Sequence, residues 1–324
     1  MTVALITGIS GQDGSYLAEA LLAQGFTVHG AVRSEAEVDL PAIAHPDVAY
    51  HRVDMSEPER LKLLIEDVGP DHIYNLAAMS SVFQSWQQPI QTAAVNAIPV
   101  AQILESAWQL QERRGRPVRV VQASSAELFG NAQESPQTEL TPVRPTSPYG
   151  AAKAYSHHLI NVYRGRGLFA SSCILYNHES SRRPESFVTR KITASVARIS
   201  LGLQDRLELG GLDARRDWGW APDYARALAL TVQADEPDDF IIATGISHSI
   251  ADFARLAFAR VGIADWRRFV DLNDAFTRPV DPVAQVGDAS KALRVLGWKP
   301  TKPFAEIVAD MVDNDVSLLT ARNA

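Results

Sequence analysis

Val3-Ala4-Leu5-Ile6-Thr7-Gly8-Ile9-Ser10-Gly11-Gln12-Asp13-Gly14 joins a short apolar run to three glycines spaced at three and three. The run Val3–Ile6 reads as a strand buried on both faces. From Gly14 to Leu22 the apolar residues Tyr16, Leu17, Ala20 and Leu21 fall on one helical face. Glycines placed between a strand and a helix form the setting that a dinucleotide fingerprint requires. Gly8 allows the tight turn, Gly11 lets the backbone approach a pyrophosphate, and Gly14 lets helix and strand pack closely. The helix N-terminus offers free N–H groups and a positive dipole to the phosphates. No Gly-Lys-Ser/Thr follows, which argues against an ATP-type loop. Gly8, Ser10, Gly11, Gln12, Asp13 and Gly14 are the expected cofactor loop.

Outward from this motif, apolar strands alternate with amphipathic helices. Thr27–Val32, Val48–Val53, Ile73–Ala77, Val118–Gln122 and Ala170–Tyr176 read as strands. Helices are expected over Glu57–Ile65, with Ser56 as N-cap and Glu59 completing a capping box, over about Ala93–Gln111, and over Tyr149–Arg164. This alternation predicts an α/β protein with a Rossmann doubly wound parallel sheet. After Asn177 come loops rich in Arg, Ser and Pro, with helices at Val188–Leu201 and Pro222–Gln233. Phe240–Thr244 reads as a strand returning to the sheet, and Ser249–Val261 and Phe304–Leu319 as helices. The expected division is a dinucleotide-binding domain of residues 1–176 with about 232–248. A smaller, interleaved α/β C-terminal substrate domain takes 177–231 and 249–324.

The balance of 46% hydrophobic and 21% charged residues over 324 positions is that of a globular chain. A formal net charge of −7 argues against nucleic acid or an anionic membrane as the main partner, so an anionic substrate needs local arginines. The single cysteine, Cys173, excludes an internal disulfide. No signal-peptide pattern opens the sequence and no apolar run nears the roughly 20 residues of a membrane span. A cytoplasmic protein is expected. His157 and His158 are adjacent and point to different sides of a helix, and His178 has no partner at ligand spacing, so no metal site is expected.

Cofactor choice is read at the end of the second strand, where NAD sites place an acid and NADP sites an arginine. Ala31-Val32-Arg33-Ser34 carries no carboxylate, which favours NADP, although Glu35, Glu37 and Asp39 follow closely. Asp54, after the third strand, is a candidate for the adenine edge. Tyr149-Gly150-Ala151-Ala152-Lys153 places a phenol and an ammonium on one helical face. A nearby ammonium and a positive nicotinamide ring would lower the phenol's pKa and make Tyr149 a base for a hydroxyl proton. Ser125, at the carboxyl edge of the fifth strand, can hydrogen-bond the same hydroxyl. Glu127 discriminates between reactions: an elimination beside a ketone needs this extra carboxylate, whereas a simple dehydrogenase or 4-epimerase does not. A glutamate capping a turn is the plain alternative.

With these motifs in order the chain resembles an extended short-chain dehydrogenase/reductase acting on nucleotide-sugars, and most closely the GDP-mannose 4,6-dehydratase family. The likeness rests on Gly11-Gln12-Asp13-Gly14-Ser15-Tyr16-Leu17, Tyr74-Asn75-Leu76-Ala77, Ser147-Pro148-Tyr149, Asn177-His178-Glu179-Ser180, Phe187-Val188-Thr189-Arg190-Lys191, Leu212–Gly219 and Trp298-Lys299-Pro300. It implies a redox-neutral lyase with Ser125, Glu127, Tyr149 and Lys153 as catalytic residues. Tyr149 would take the C4 hydroxyl proton, and Glu127 would remove the C5 proton and protonate the departing C6 hydroxyl. A hydride lent to NADP+ at C4 would return at C6, giving a 4-keto-6-deoxy sugar. The resemblance further implies that Leu76, Ala77 and Arg33 serve NADP. Asn177, Val188, Lys191, Arg216 and Arg278 would embrace the GDP portion, Asp281 a ribose hydroxyl, and Ser80 and Glu179 the sugar.

The family has threonine where Ser125 stands, which keeps the hydroxyl. It has Arg-Arg-Ser-Ser and an insertion where Arg33-Ser34 meets a shorter acidic segment, and that insertion helps bind NADP and build a tetramer. A homodimer pairing Ala93–Gln111 and Tyr149–Arg164 is expected, with a tetramer left open. Met79 and Ser81 replace Gln and His, so another GDP-sugar such as a GDP-manno-heptose stays in view. The rivals are a nucleotide-sugar reductase or epimerase, and a non-catalytic nucleotide-binding regulator.

Overall fold

The computed structural model describes residues 1–34, 45–276 and 284–323. Its strands are β1 Val3–Thr7, β2 Thr27–Val32, β3 Val48–Arg52, β4 His72–Asn75, β5 Arg119–Ser125, β6 Phe169–Leu175, β7 Asn177–Glu179, β8 Leu207–Leu209, β9 Arg215–Trp220, β10 Asp239–Ile242, β11 Ser247–Ser249, β12 Val270–Leu272 and β13 Ala284–Gln285. The helices are α1 Gln12–Ala23, α2 Pro58–Val68, α3 Val82–Gln87, α4 Pro89–Asn96, α5 Ile98–Arg114, α6 Pro148–Gly165, α7 Val188–Ser200, α8 Ala221–Thr231, α9 Ile250–Arg260, α10 Ser290–Leu296 and α11 Phe304–Asn323.

Seven strands form one sheet in the order β10-β6-β5-β4-β1-β2-β3. Every pairing in it is parallel. The order reverses between β1 and β4, and the crevice at the carboxyl ends of these strands is where such folds bind ligands. Alternate residues of the strands feed two cores. Ala4, Ile6 and Val28 pack beneath α1 and α8 with the fully buried Trp298. Leu5, Ala31 and Ile73 pack against α2 and α5. Parallel strands buried on both faces account for the unbroken apolar runs in the sequence.

A second sheet has β9 at its centre, parallel to β7 and β13 and antiparallel to β11. A third core, including Ile192, Phe253, Phe258, Met311 and Val312, gathers α7, α9 and α11 beside it. Arg190 Nε lies 3.0 Å from both Asp315 oxygens and Thr193 Oγ1 donates to Asp315 at 2.7 Å, tying α7 to α11.

Three local expectations change. The first turn of α2 is not capped by Ser56, whose hydroxyl donates to Asp54 at 2.7 Å; Glu57 is the N-cap and makes no side-chain cap bond. The expected helix Ala93–Gln111 is broken at Ala97 into α4 and α5, because Pro99 carries no N–H and suits only a helix start. The short strands of the second sheet were unread because three-residue strands show too little alternation to reveal a period.

Candidate active site

The glycine loop is held by its own backbone. Gly8 has φ of +71°, and a Cβ there would stand 2.8 Å from Ala77 Cα. A Cβ on Gly14 would meet Gly8 O at 2.4 Å, so α1 can seat on the β1 turn only with glycine at that position. Gly11 donates to Gly8 O at 3.0 Å and is the N-cap of α1. A Cβ on Gly11 would touch only Gly8 O, at 3.3 Å, which leaves the outer side of the loop open to a ligand, as a pyrophosphate cradle requires. Ser10 lies in this turn, half-buried.

Leu76 and Ala77 follow β4 beside the loop, with Leu76 N–H donating to Thr7 O at 3.2 Å and Ala77 N–H to Thr7 Oγ1 at 3.3 Å. Arg33 and Asp54 meet at the ends of β2 and β3. The Ser56 N–H and hydroxyl, and behind them the Arg33 charge, hold the Asp54 carboxyl below its ordinary range. Gln12 and Asp13 are placed differently from expectation. Gln12 Nε2 donates to His178 O at 3.1 Å and Ser180 Oγ donates to Gln12 Oε1 at 2.9 Å, while Asp13 Oδ2 pairs with His178 Nε2 at 2.9 Å. Their side chains thus bind the segment after β6.

The four catalytic candidates come together on one strand end and one helix start. Ser125 closes β5 and accepts the Glu127 N–H at 3.2 Å, capping the turn Ala126–Leu128. The serine is therefore the cap of this turn. The Ser125 hydroxyl also acts to lower the Tyr149 phenol. Ser147 caps α6 by accepting the Gly150 N–H at 3.0 Å. A Cβ on Gly150 would stand 2.6 Å from Glu127 O, so this glycine lets the first turn of α6 close onto the Glu127 backbone. Glu127 is 9% exposed, and its charge acts on Tyr149.

Lys153 Nζ donates to Ala123 O at 2.7 Å and stands 5.7 Å from the centre of the Tyr149 ring. Burial brings Lys153 down to about 8, opposed by Asp13. Burial pushes the Tyr149 phenol up to about 12, opposed by the Ser125 hydrogen bond. This corrects the expected lowering of Tyr149 by Lys153. The ammonium is committed to a carbonyl, and the chain's own residues leave Tyr149 a neutral phenol at neutral pH.

The expected substrate residues divide. Asn177 begins β7 opposite Trp218, half-buried. Val188 is the first residue of α7, and Lys191, one turn later, has Nζ 3.6 Å from the centre of the Phe276 ring. Arg216 is 6% exposed within β9 and donates from Nη1 to Arg215 O at 2.8 Å. Ser80 is exposed in the segment after β4, and the neighbouring Ser81 is engaged as the cap of α3. Glu179 corrects an expectation. At 1% exposure its carboxylate accepts the Thr189 hydroxyl at 2.8 Å and pairs with Arg183 at 3.3 Å, so it anchors α7 inside the protein and presents nothing to a sugar. Arg278 and Asp281 lie outside the described residues.

Two residues escaped sequence reasoning. His178 and Arg183 sit where the Asp13, Glu179 and Tyr149 charges converge. Asp13 and His178 are 165 positions apart, and no local pattern announces their pairing. Among the described residues no three His, Cys, Asp or Glu side chains gather as a metal would need, and no helix is long and apolar enough to cross a membrane.

Comparison with known proteins bears on this constellation. A GDP-mannose 4,6-dehydratase of Arabidopsis thaliana is 42% identical over 98% of this chain and 87% of its own length. One from Caenorhabditis elegans is 42% identical over 98% of this chain and 90% of its own. Among solved structures, a Thermus thermophilus UDP-glucose 4-epimerase in complex with NAD superposes with a TM-score of 0.85 at 27% identity, covering 97% of this chain and 99% of its own. The sequence profile of the family described as GDP-mannose 4,6 dehydratase matches residues 5–311, and the chain belongs to that family.

Proposed function

We propose that the protein is an NADP-dependent lyase converting GDP-mannose, or a close GDP-sugar, to a GDP-4-keto-6-deoxy sugar. The observation that carries this reading is that Glu127 sits on a turn capped by Ser125, its backbone closing against the first turn of the Tyr149 helix and its charge acting on Tyr149. The glycine loop fits a dinucleotide, and Leu76, Ala77, Lys153 and Arg33 are the further side chains and backbone placed to hold it. Residues 1–176 with 232–248 would carry the cofactor, and 177–231 with 249–324 the sugar nucleotide.

When bound, NADP supplies a reversible hydride acceptor beside the sugar. Ser125 would hydrogen-bond the C4 hydroxyl; Tyr149, whose own surroundings favour the phenol, would accept the hydroxyl proton as the phenolate that a positive nicotinamide ring beside it favours. The C4 ketone so formed acidifies C5–H. Glu127 takes that proton and hands it to the C6 hydroxyl, which leaves as water. Hydride is lost at C4 and regained at C6, and a proton returns to C5 in place of the one that Tyr149 took from the C4 hydroxyl, so the overall change is loss of one water with no net redox. Arg216 supplies a guanidinium for the diphosphate on an otherwise acidic chain.

A homodimer through α5 and α6 accompanies this reading. Tyr155 and Val162, two turns apart on α6, are 44% and 58% exposed, and Ile98 at the start of α5 is 51% exposed. A reducing cytoplasm suits the lone, buried Cys173 thiol.

Incubation with GDP-mannose, and in parallel with a GDP-manno-heptose, should give a keto product one water lighter while NADP is needed only in catalytic amount. Stoichiometric NADPH consumption, or a C4 epimer of unchanged mass, would assign a reductase or epimerase instead.

A further inference from the structure

Both ring nitrogens of His178 face acceptors. Nδ1 lies 2.6 Å from Tyr176 O and Nε2 lies 2.9 Å from Asp13 Oδ2. A carbonyl oxygen and a carboxylate cannot donate, so both contacts are hydrogen bonds only when the ring carries two protons. A neutral ring would set a nitrogen lone pair against one of the two oxygens. The ring also stacks on Tyr224, with centroids 4.3 Å apart and 23° between planes, an arrangement that favours a cation.

The same segment is fastened to α1 by Gln12 Nε2 donating to His178 O, by Ser180 Oγ donating to Gln12 Oε1, and by Arg182 Nη1 donating to Ser15 Oγ at 3.0 Å. We propose that His178 acts as an imidazolium latch, a positioning residue that closes the segment Tyr176–Arg183 onto the glycine loop, neutralises Asp13 beneath the dinucleotide's phosphates, and thereby retains the cofactor between turnovers.

The groups facing the ring are Asp13 and Gln12 on α1, Tyr176 and Glu179 next to it in sequence, Arg183 in the following turn, and Tyr224 on α8. From β9 the register partner is Gly219, which brings no charge. Tyr149 and Lys153 on α6 feel Asp13 in turn. Burial pushes the imidazole down and Arg183 does the same, but the Asp13 charge and hydrogen bond more than reverse this and hold it above its ordinary value. The latch is therefore complete below the ordinary imidazole range and is lost as pH rises through the raised value. At that point the Asp13 carboxylate, in the first turn of α1, loses its nearest cation and keeps only the Arg183 charge and the Gln12 amide against its own charge beside the phosphates.

The inference rests on the dinucleotide reading of the glycine loop, and the experiment separates the two. NADPH and NADH affinities of the full chain are measured by fluorescence between about pH 6 and about pH 10 for the wild type, Asp13→Asn and His178→Gln, with the cofactor-free melting point of each as a check on folding. The wild type should weaken about tenfold as pH rises through the His178 transition, and Asp13→Asn, with no carboxylate to be uncovered, should show a smaller loss, and at a lower pH. His178→Gln should bind about tenfold more weakly than the wild type at neutral pH and show no break, raising KM for the cofactor while kcat at saturation changes less. Nitrogen NMR of the wild-type histidines should show both His178 nitrogens protonated at neutral pH, a readout that needs no variant to fold. A neutral His178 at that pH, or equal pH profiles in the wild type and Asp13→Asn, would overturn the latch. If neither dinucleotide binds the wild type at all, the dinucleotide reading fails while the NMR still decides the protonation.

Discussion

Substituting Glu127 by Gln keeps the length of the side chain but removes its capacity to take the C5 proton. Because Ser125 caps the turn, the exchange leaves the backbone of Ala126–Leu128 in place. Loss of a positioned acid–base group costs about 10²–10⁴-fold in rate. Glu127→Gln is expected to lower dehydratase turnover by that order while single-turnover absorbance shows reduced cofactor accumulating. Unchanged turnover would place the carboxylate outside the chemistry. At this scale the sequence singled out Tyr149, Lys153 and Ser125 by residue type, and the fold gathers them at one strand end and one helix start. The sequence misled where a side chain's partner lies far along the chain. Glu179 reads as a sugar ligand until Thr189 and Arg183 are seen to consume its carboxylate, and Gln12 and Asp13 read as cofactor contacts until His178 and Ser180 claim them.

The helix α6 shows how an element sets the geometry. Its first turn meets Glu127 O through Gly150, and a methyl there would lie 2.6 Å from that oxygen. Gly150→Ala should force the helix start off β5 by a fraction of an ångström to one ångström, and misplacement on that scale costs on the order of 10²-fold in rate. Gly165, at the other end of the same helix, has nothing within 4 Å of an added Cβ. Gly165→Ala should keep full activity and gain about 0.5 kcal/mol in chemical denaturation. If both variants behave alike, the contact at Gly150 does not position the site. The long elements were readable because β1, β5, β6 and α6 each carry a period repeated enough times to count. The strands β7, β8, β11 and β13 have two or three residues each and become strands only through their neighbours.

On the scale of the whole molecule, the edge of the sheet opposite the site carries an acid sensitivity. His72 begins β4, its Nδ1 buried and without a hydrogen bond, and its ring lies between Phe26 and Tyr74. Burial, with the nearby Arg119 charge, takes it down from 6.5 to about 4. The unfolded chain takes up that proton first, so the contribution to stability is full above the ordinary value and falls as pH drops toward the folded one. Allowing for partial exposure, roughly 1–2 kcal/mol should be lost across this window, and urea denaturation of His72→Phe should show a smaller loss. At the opposite flank, Val162→Glu on α6 should convert the proposed dimer to monomer in light scattering without lowering the melting point of the monomer fold; an unchanged mass would move the interface elsewhere. The alternation that defines the sheet was legible throughout, including the return of Phe240–Thr244 as β10. The second sheet was not, because β9 assembles partners from three separate places in the chain.

Ser125, Glu127, Tyr149 and Lys153 all sit on the end of β5 and the start of α6, whereas Asn177, Val188, Lys191 and Arg216 sit on β7, α7 and β9. On the function proposed above, the reaction and the choice of molecule would fall to different parts of the chain. Descendants of such a protein would then exchange one nucleotide-sugar for another by altering β7, α7 and β9, while inheriting the bond-breaking apparatus unaltered.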